Sequence, residues 1–203
     1  MIRALVFDFD GLILDSEMPD YLSWKETYQS FGVELPVDLW VQNIGSVTFF
    51  DPYTHLELLV GRALDRDAVK AARRRRDDEL MAQQEMMPGV ADYLVEARQL
   101  GLKTAVASSS RHAWVDPLLK RLGLTDQFDA VCCRDDVGDR AKPDPAVYQA
   151  ALAALNVRPD EALAFEDSPH GAAAARAAGI FCVIVPNEMT SQLPFSQSDY
   201  RLT

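Results

Sequence analysis

The chain has 203 residues, of which 48% are hydrophobic and 25% charged, as in a globular protein with one core or a core with one insert. Its formal net charge is −11. Proteins that bind nucleic acid through phosphate contacts need a basic surface, so this charge argues against such a partner. A site for a phosphate ester in this chain would need a cation to offset the chain's own carboxylates.

The N-terminal apolar run is too short for a signal peptide and ends at the acidic Asp8. No stretch approaches the roughly 20 apolar residues of a membrane span. We therefore expect a cytoplasmic protein with no membrane partner, and we expect a monomer or weak dimer. Cys132, Cys133 and Cys182 have neither disulfide nor zinc spacing.

Short apolar runs of strand length occur at residues 4–7, 104–107, 162–165 and 181–185, with a weaker run at 128–132. Continuous apolar runs of this kind are typical of strands buried on both faces of a parallel sheet.

Helical patterns separate these runs. They cover residues 90–97, before Gly101; residues 115–122, before Gly123; a stretch from Pro145, with Asp144 as N-cap; and residues 171–178, before Gly179. The alternation predicts an α/β fold with a doubly wound, Rossmann-like parallel sheet.

Residues 16–86 interrupt the alternation. Helical patterns occur at 22–31 and 67–84, without a convincing strand. We predict that residues 16–86 form a helical cap domain, inserted after the first strand into an α/β core of residues 1–15 and 87–203. Such a cap would cover the carboxyl ends of the strands, where open α/β sheets bind ligands. The four consecutive arginines at 73–76 indicate a solvated helix surface.

The segment Asp8-Phe9-Asp10-Gly11 directly follows the first predicted strand. Gly11 permits a sharp turn, so both carboxylates can reach one pocket at the strand end. One of them could attack phosphorus while the other handles a proton. A turn with a helix cap is an alternative explanation of this segment alone.

Three further segments carry polar groups at or near strand ends. Ser108 and Ser109 follow the second run, where hydroxyl and backbone N–H groups could hold phosphoryl oxygens or cap a helix. Lys142 could neutralise a phosphoryl group, although a lysine before a helix is often only solvated. Glu166 and Asp167 offer hard oxygen ligands that favour magnesium, or form an acidic loop that caps the next helix.

In this order the segments resemble the haloacid dehalogenase superfamily, and most specifically its phosphatase and β-phosphoglucomutase-like branch. The matching motifs are Asp8-Phe9-Asp10-Gly11, Asp15-Ser16-Glu17, Ser108, Lys142-Pro143-Asp144-Pro145 and Glu166-Asp167-Ser168 followed by Gly171. The resemblance covers nearly all of the chain and is weakest in the cap and after Pro186.

The resemblance implies roles for these positions. Asp8 would be the nucleophile that forms an aspartyl phosphate, and Asp10 the general acid and base. Ser108 and Lys142 would hold phosphoryl oxygens, in a substrate site that we extend to Gly11 and Ser109. Mg²⁺ would bind Asp8, the main-chain carbonyl of Asp10, and Asp167, with Glu166 as a direct or water-mediated ligand.

Three functions remain open at this point. The leading prediction is a phosphatase for a small phosphomonoester such as a sugar phosphate. The first alternative is a phosphomutase, which must grip a second phosphate; mutase-like members usually carry a histidine at Asp20 and a base near Ile44-Gly45-Ser46, and this chain carries neither. The second alternative is a noncatalytic phosphate-binding protein. The aromatic segment 48–53 could line a specificity pocket or pack within the cap.

Overall fold

The computed structural model describes residues 1–44, 50–196 and 198–202. Its centre is a six-stranded parallel sheet with the strand order β3-β2-β1-β4-β5-β6. The strands are β1 (Ala4–Phe7), β2 (Lys103–Ala107), β3 (Ala130–Cys132), β4 (Ala162–Glu166), β5 (Phe181–Ile184) and β6 (Tyr200–Arg201). The expected α/β fold is confirmed, and only the exposed two-residue edge strand β6 was not predicted.

Eight α-helices accompany the sheet in the described part of the chain. They are α1 (Glu17–Ser30), α2 (Val37–Trp40), α3 (Pro52–Val60), α4 (Arg66–Met81), α5 (Val90–Gln99), α6 (His112–Arg121), α7 (Ala146–Leu155) and α8 (Pro169–Ala177). The predicted N-cap of α7 was wrong by one residue, because Pro145 occupies that position. The Asp144 carboxylate nevertheless accepts a hydrogen bond from the Ala146 amide, at 2.9 Å.

Alternate residues of β1 face two different hydrophobic cores, because successive side chains of a strand point to opposite faces. Ala4 and Val6 pack in a core with residues of α7 and α8. Leu5 and Phe7 pack in the second core, with residues of α5 and α6. The sheet is therefore covered on both faces, which explains why its strands are continuous apolar runs.

Helices α1 to α4 lie between β1 and β2, and we call residues 17–81 the helical segment. Its described residues contain no strand, as predicted, and they form an aromatic cluster of their own. The cluster contains Tyr21, Trp24, Tyr28, Leu35, Trp40, Ile44, Leu56 and, from the other end of the chain, Met189. Residues 45–49 lie outside the described residues. They include Gly45 and Ser46, near which mutase-like members carry a base, and Thr48 and Phe49 of the aromatic segment 48–53. Phe50 and Tyr53 pack against this cluster.

The expectation that the four arginines at 73–76 form a solvated surface was wrong for Arg73. Its side chain is only 14% exposed, and its Nη1 atom lies 2.6 Å from the Asp20 carboxylate. Its guanidinium also lies over the Trp24 ring, at 5.0 Å. The sequence could not distinguish Arg73 from its neighbours, because only the packing of α4 on α1 turns this position inward.

Candidate active site

The sheet register brings three predicted segments to the same edge. In β1, Phe7 lies beside Val106 of β2 and Phe165 of β4. The residues that follow these three strands therefore emerge together at the carboxyl ends of the strands. They include Asp8 after β1, Ser108 after β2 and Asp167 after β4.

Lys142 lies at the centre of a group that we call the buried ionic cluster: Asp8, Lys142, Glu166 and Asp167. The Lys142 ammonium lies 2.7 Å from Asp8 Oδ1 and 2.7 Å from Glu166 Oε1. All four residues are at most 6% exposed. Contact with two carboxylates raises the pKa of Lys142 against the opposing effect of burial. The two carboxylates thus favour the charged form of the lysine and fix its position from two sides.

The Asp8 carboxylate sits at a point where negative charge is costly. Burial raises the pKa of Asp8 well above its usual value, the charge of Glu166 raises it further, and Lys142 acts in the opposite direction. The Phe9 amide donates a hydrogen bond of 2.6 Å to Asp8 Oδ1. One carboxylate oxygen is thus fixed by donors at the end of β1.

Glu166 is enclosed by donors. Its Oε1 atom accepts hydrogen bonds from Lys142 Nζ and from the Tyr148 hydroxyl, at 2.7 and 2.6 Å. Its carboxylate lies so close to Gly171 of α8 that a Cβ there would come within 2.0 Å. The glycine of this motif therefore makes room for the acid. Tyr148 was not predicted as a site residue, and its only sequence signal is a hydroxyl on the apolar face of α7.

Asp167 approaches the turn that follows Asp8. A Cβ on Gly11 would lie 2.1 Å from Asp167 Oδ2, and Gly11 has a φ of +77°. Both facts require glycine here. The Asn187 side chain, also not predicted, donates a hydrogen bond of 2.8 Å to the same Asp167 oxygen.

The Asp10 carboxylate accepts hydrogen bonds from four side chains. Its Oδ1 accepts from Ser16 Oγ at 2.8 Å and from Trp114 Nε1 at 2.9 Å. Its Oδ2 accepts from Ser110 Oγ at 2.6 Å, with Ser108 Oγ farther away at 3.4 Å. The predicted serine loop thus contacts Asp10 directly.

Ser109 lines the cavity beside Lys142. Its hydroxyl accepts a hydrogen bond from the Lys142 amide, at 3.1 Å. In this arrangement it supports the loop that carries the lysine.

The buried ionic cluster fits a divalent cation. Asp8, Glu166 and Asp167 each offer a carboxylate oxygen, and these atoms lie within 4.8 Å of one another. Burial and the charges of Asp8 and Glu166 raise the pKa of Asp167 well above its usual value. Three carboxylates face one lysine, so hard oxygen ligands and uncompensated negative charge occur together, as cations such as Mg²⁺ require.

A cavity of about 560 Å³ opens above Asp8 and Lys142. The helical segment lines one side with the acidic residues Glu17, Asp20 and Asp77. Burial raises the pKa of Asp20 to about 6, although Arg73 opposes this shift. The cation beside Asp20 is Arg73 of α4, and its guanidinium is shared between Asp20 and Asp77.

Two arginines outside the helical segment, Arg111 and Arg134, also line the cavity. Both approach Oδ1 of Asp139, at 2.5 and 3.5 Å. The lining of the cavity therefore includes basic as well as acidic side chains.

The model of the haloacid dehalogenase-like hydrolase family matches residues 2–179. The chain belongs to this family. The match contains every predicted site residue, from Asp8 to Asp167, and the resemblance drawn from the motifs is confirmed.

Several relatives in this family are named as phosphatases, and the chain aligns with them over almost their whole length. "Putative phosphatase YhcW" of Bacillus subtilis (strain 168) is 44% identical over 202 residues, with 100% of this chain and 91% of the relative covered. Fructose-1-phosphate phosphatase YqaB of Escherichia coli (strain K12) is 32% identical over 186 residues, covering 90% and 95%. The prediction of a phosphohydrolase is thus supported over a noncatalytic protein. Another matching relative is named a β-phosphoglucomutase.

A solved structure has the same fold. The HAD family hydrolase of Deinococcus radiodurans R1, with bound phosphate and sodium, has a TM-score of 0.83 and 25% identity, covering 100% of this chain and 91% of that one. Among residues 1–44, 50–196 and 198–202 of the present chain, no helix has the length and apolar character needed to cross a bilayer.

Proposed function

We propose that this protein is a Mg²⁺-dependent phosphatase that hydrolyses a small, sugar-phosphate-like monoester through an aspartyl phosphate on Asp8. The observation that carries the proposal is the buried contact between Lys142 and Asp8, at 2.7 Å on the floor of the cavity. Burying a lysine with carboxylates is costly, and charged groups in such surroundings cluster at functional sites.

In the first half-reaction an Asp8 oxygen attacks phosphorus, and the bond between phosphorus and the leaving oxygen breaks. Asp10 donates a proton to that oxygen. In the second half-reaction Asp10 accepts a proton from water, which attacks phosphorus and releases inorganic phosphate and free Asp8. Lys142 and Ser108 hold the phosphoryl oxygens, with Gly11 and Ser109 shaping the loops around them.

Asp8, Asp167 and the Asp10 carbonyl would hold Mg²⁺, with Glu166 as a direct or water-mediated ligand. The ion would neutralise charge between the carboxylates and the phosphoryl group. The hydrogen bonds of Glu166 to Lys142 and Tyr148 favour the indirect role, because they already occupy Oε1.

The helical segment would act as the cap that selects the substrate, since it supplies one wall of the cavity. The cavity volume of about 560 Å³ suits a small metabolite. The name of the YqaB relative, a sugar-phosphate phosphatase, points to the same substrate class. The predictions of a cytoplasmic monomer or weak dimer without nucleic-acid or membrane partners belong to this proposal.

A phosphomutase is the second candidate, and Arg111 and Arg134 are the observation that favours it. Two arginines in the cavity could contact a second phosphate. Asp139 partly neutralises them, and Asp20 and Asp77 in the same cavity would repel such a group. We therefore retain the phosphatase as the leading function.

A screen of phosphorylated metabolites would test this proposal by measuring released phosphate with and without Mg²⁺. We expect release that a chelator abolishes and Mg²⁺ restores. Rapid acid quenching should trap a base-labile acyl phosphate on Asp8. Labelling of a serine or histidine instead, or full activity in the chelator, would contradict the mechanism.

Supplying β-glucose 1-phosphate with a trace of the 1,6-bisphosphate separates the two candidates. We expect steady release of phosphate from monophosphates without any need for the bisphosphate. Glucose 6-phosphate that forms much faster than free phosphate would show a mutase instead.

A further inference from the structure

Asn187 connects three parts of the molecule through one side chain. It follows β5 in the loop that begins at Val185, and its amide nitrogen donates to Asp167 Oδ2 at 2.8 Å and to the Gly11 carbonyl at 3.0 Å. These two acceptors belong to the segments after β4 and β1. Both donor positions of the amide are therefore used on residues of the active-site edge.

The amide oxygen of Asn187 faces its own loop. It accepts hydrogen bonds from the amides of Met189 and Thr190, both at 2.9 Å, and from the Thr190 hydroxyl at 3.1 Å. Thr190 Oγ1 in turn accepts a hydrogen bond from the main-chain N–H of Asn187, at 3.1 Å. The loop thus holds the Asn187 side chain in one orientation, because a rotated amide would present an oxygen to the Asp167 carboxylate.

We infer that Asn187 is a positioning residue for the metal site, and that it holds the Asp167 carboxylate and the Asp8–Gly11 turn in the arrangement that binds the divalent cation. This inference rests on the proposed Mg²⁺ site. A carboxylate that ligates a metal needs a hydrogen-bond partner to fix its orientation, and loss of such a partner typically weakens metal binding by about 10- to 100-fold. Asn187 is suited to this task because it contacts Asp167 and the main chain next to Asp10 at once.

Gly11 shows how closely the three groups approach. A Cβ at this position would lie 2.1 Å from Asp167 Oδ2 and 2.9 Å from Asn187 Nδ2. The loop after β5 also carries Met189, which is buried in the aromatic cluster of the helical segment. Asn187 therefore sits where the metal-site carboxylate, the Gly11 turn and the packing of the helical segment meet.

The test is calorimetric titration of the metal-free, full-length protein with Mg²⁺. We expect Asn187→Ala to weaken Mg²⁺ binding by about 10-fold or more. Asn187→Ser keeps an oxygen for the loop amides but has no nitrogen for Asp167, so it should weaken binding similarly and serves as the second variant if Asn187→Ala fails to fold. Ser191→Ala is the matched control, because it removes a hydroxyl of the same loop that bonds the Glu188 carbonyl and does not contact the Asn187 side chain.

Ser191→Ala should bind Mg²⁺ within about twofold of the wild type, as expected for a change outside the contacts to Asp167 and to the Asn187 side chain. Wild-type affinity in both Asn187 variants would overturn the inference, and so would equal losses in Ser191→Ala. Wild-type protein that binds no Mg²⁺ would overturn both this inference and the metal assignment. If the wild type binds Mg²⁺ and only the Asn187 variants lose affinity, but no monoester is hydrolysed, the inference stands and the proposed phosphatase function fails.

Discussion

The buried ionic cluster and the helical segment place their charges in opposite ways. In the cluster, Lys142 and Glu166 are at most 2% exposed and contact each other. In the helical segment, Arg76 is 39% exposed and pairs with Glu26, which is 46% exposed. The buried side chains of that segment include Tyr21, Trp24, Tyr28 and Trp40. The Trp24 ring contacts those of Tyr28, Trp40 and Tyr53.

Under the proposed function, the buried charges take part in a reaction, whereas those of Arg76 and Glu26 lie at the surface. Burying ions costs several kcal/mol per ion, and a hydrophobic replacement is often at least as stable. The proposed reaction would account for the charges of the buried ionic cluster, whereas exposed ion pairs add little to stability. Matched substitutions in the two regions should therefore have very different consequences.

Asp8→Asn should produce the largest effect, a loss of turnover of about 10⁴-fold or more, because the amide cannot act as the nucleophile. Asp77→Asn is the matched change on the helical-segment wall of the same cavity and should reduce kcat/KM by less than about 10-fold. Steady-state phosphate release measures both variants. Comparable losses in the two would mean that Asp8 does no covalent chemistry.

Lys142→Met should come second and lower the free energy of unfolding by about 3–5 kcal/mol, since it leaves Asp8 and Glu166 buried without their cation. Arg76→Met removes an exposed arginine that also contacts two carboxylates and should change stability little. Urea denaturation of both variants provides the measurement. A large loss in Arg76→Met would remove the distinction between the two regions.

How far the sequence predicts this arrangement depends on whether a local pattern places a residue directly at the end of a strand. Asp8, Ser108 and Asp167 were predictable because each follows an apolar run, and parallel strands bring such positions to one edge. The contact of Asn187 with Gly11 spans 176 positions. It follows from the path of the loop after β5, which no local pattern indicates.

The helical segment was less predictable for the same physical reason. Its long helices α1 and α4 were expected, whereas the four-residue helix α2 and the nine-residue helix α3 were not. Asp51 caps α3 by accepting from the amides of Tyr53 and Thr54, a signal visible in the sequence beside Pro52. The inward position of Arg73 was not visible, because it depends on how two helices pack.

Trp24→Phe should have a smaller effect, a loss of about 1–2 kcal/mol in the free energy of unfolding, because phenylalanine fills less of the aromatic cluster. It also weakens the contact with the Arg73 guanidinium. The acyl phosphate on Asp8 should still form in this variant. Urea denaturation and acid quenching together test both statements, and loss of the acyl phosphate in a folded variant would show that the helical segment takes part in the chemistry.

Substitution of His112 should give the smallest effect. His112 lies in the α/β part of the chain and not in the helical segment, so it tests whether exposure decides how much a charge contributes to the free energy of unfolding. It lies at the start of α6, where its ring contacts Asp116 at 3.0 Å and Asp136 at 2.8 Å, and its amide contacts Asp135. The hydrogen bond with Asp116, aided by Asp136, raises the pKa of His112 above its usual value. Both carboxylates are more than 40% exposed.

A histidine whose pKa is higher in the folded state stabilises the fold below its ordinary pKa of about 6.5, and this stabilisation is lost as the pH rises through the folded value. His112→Asn should therefore cost less than about 1 kcal/mol at pH 5.5, and less still at pH 9. Urea denaturation of both proteins at the two pH values measures this difference. An equal cost at both values would mean that hydrogen bonding and not charge accounts for it, and a cost comparable to that of Lys142→Met would contradict the comparison between buried and exposed charges.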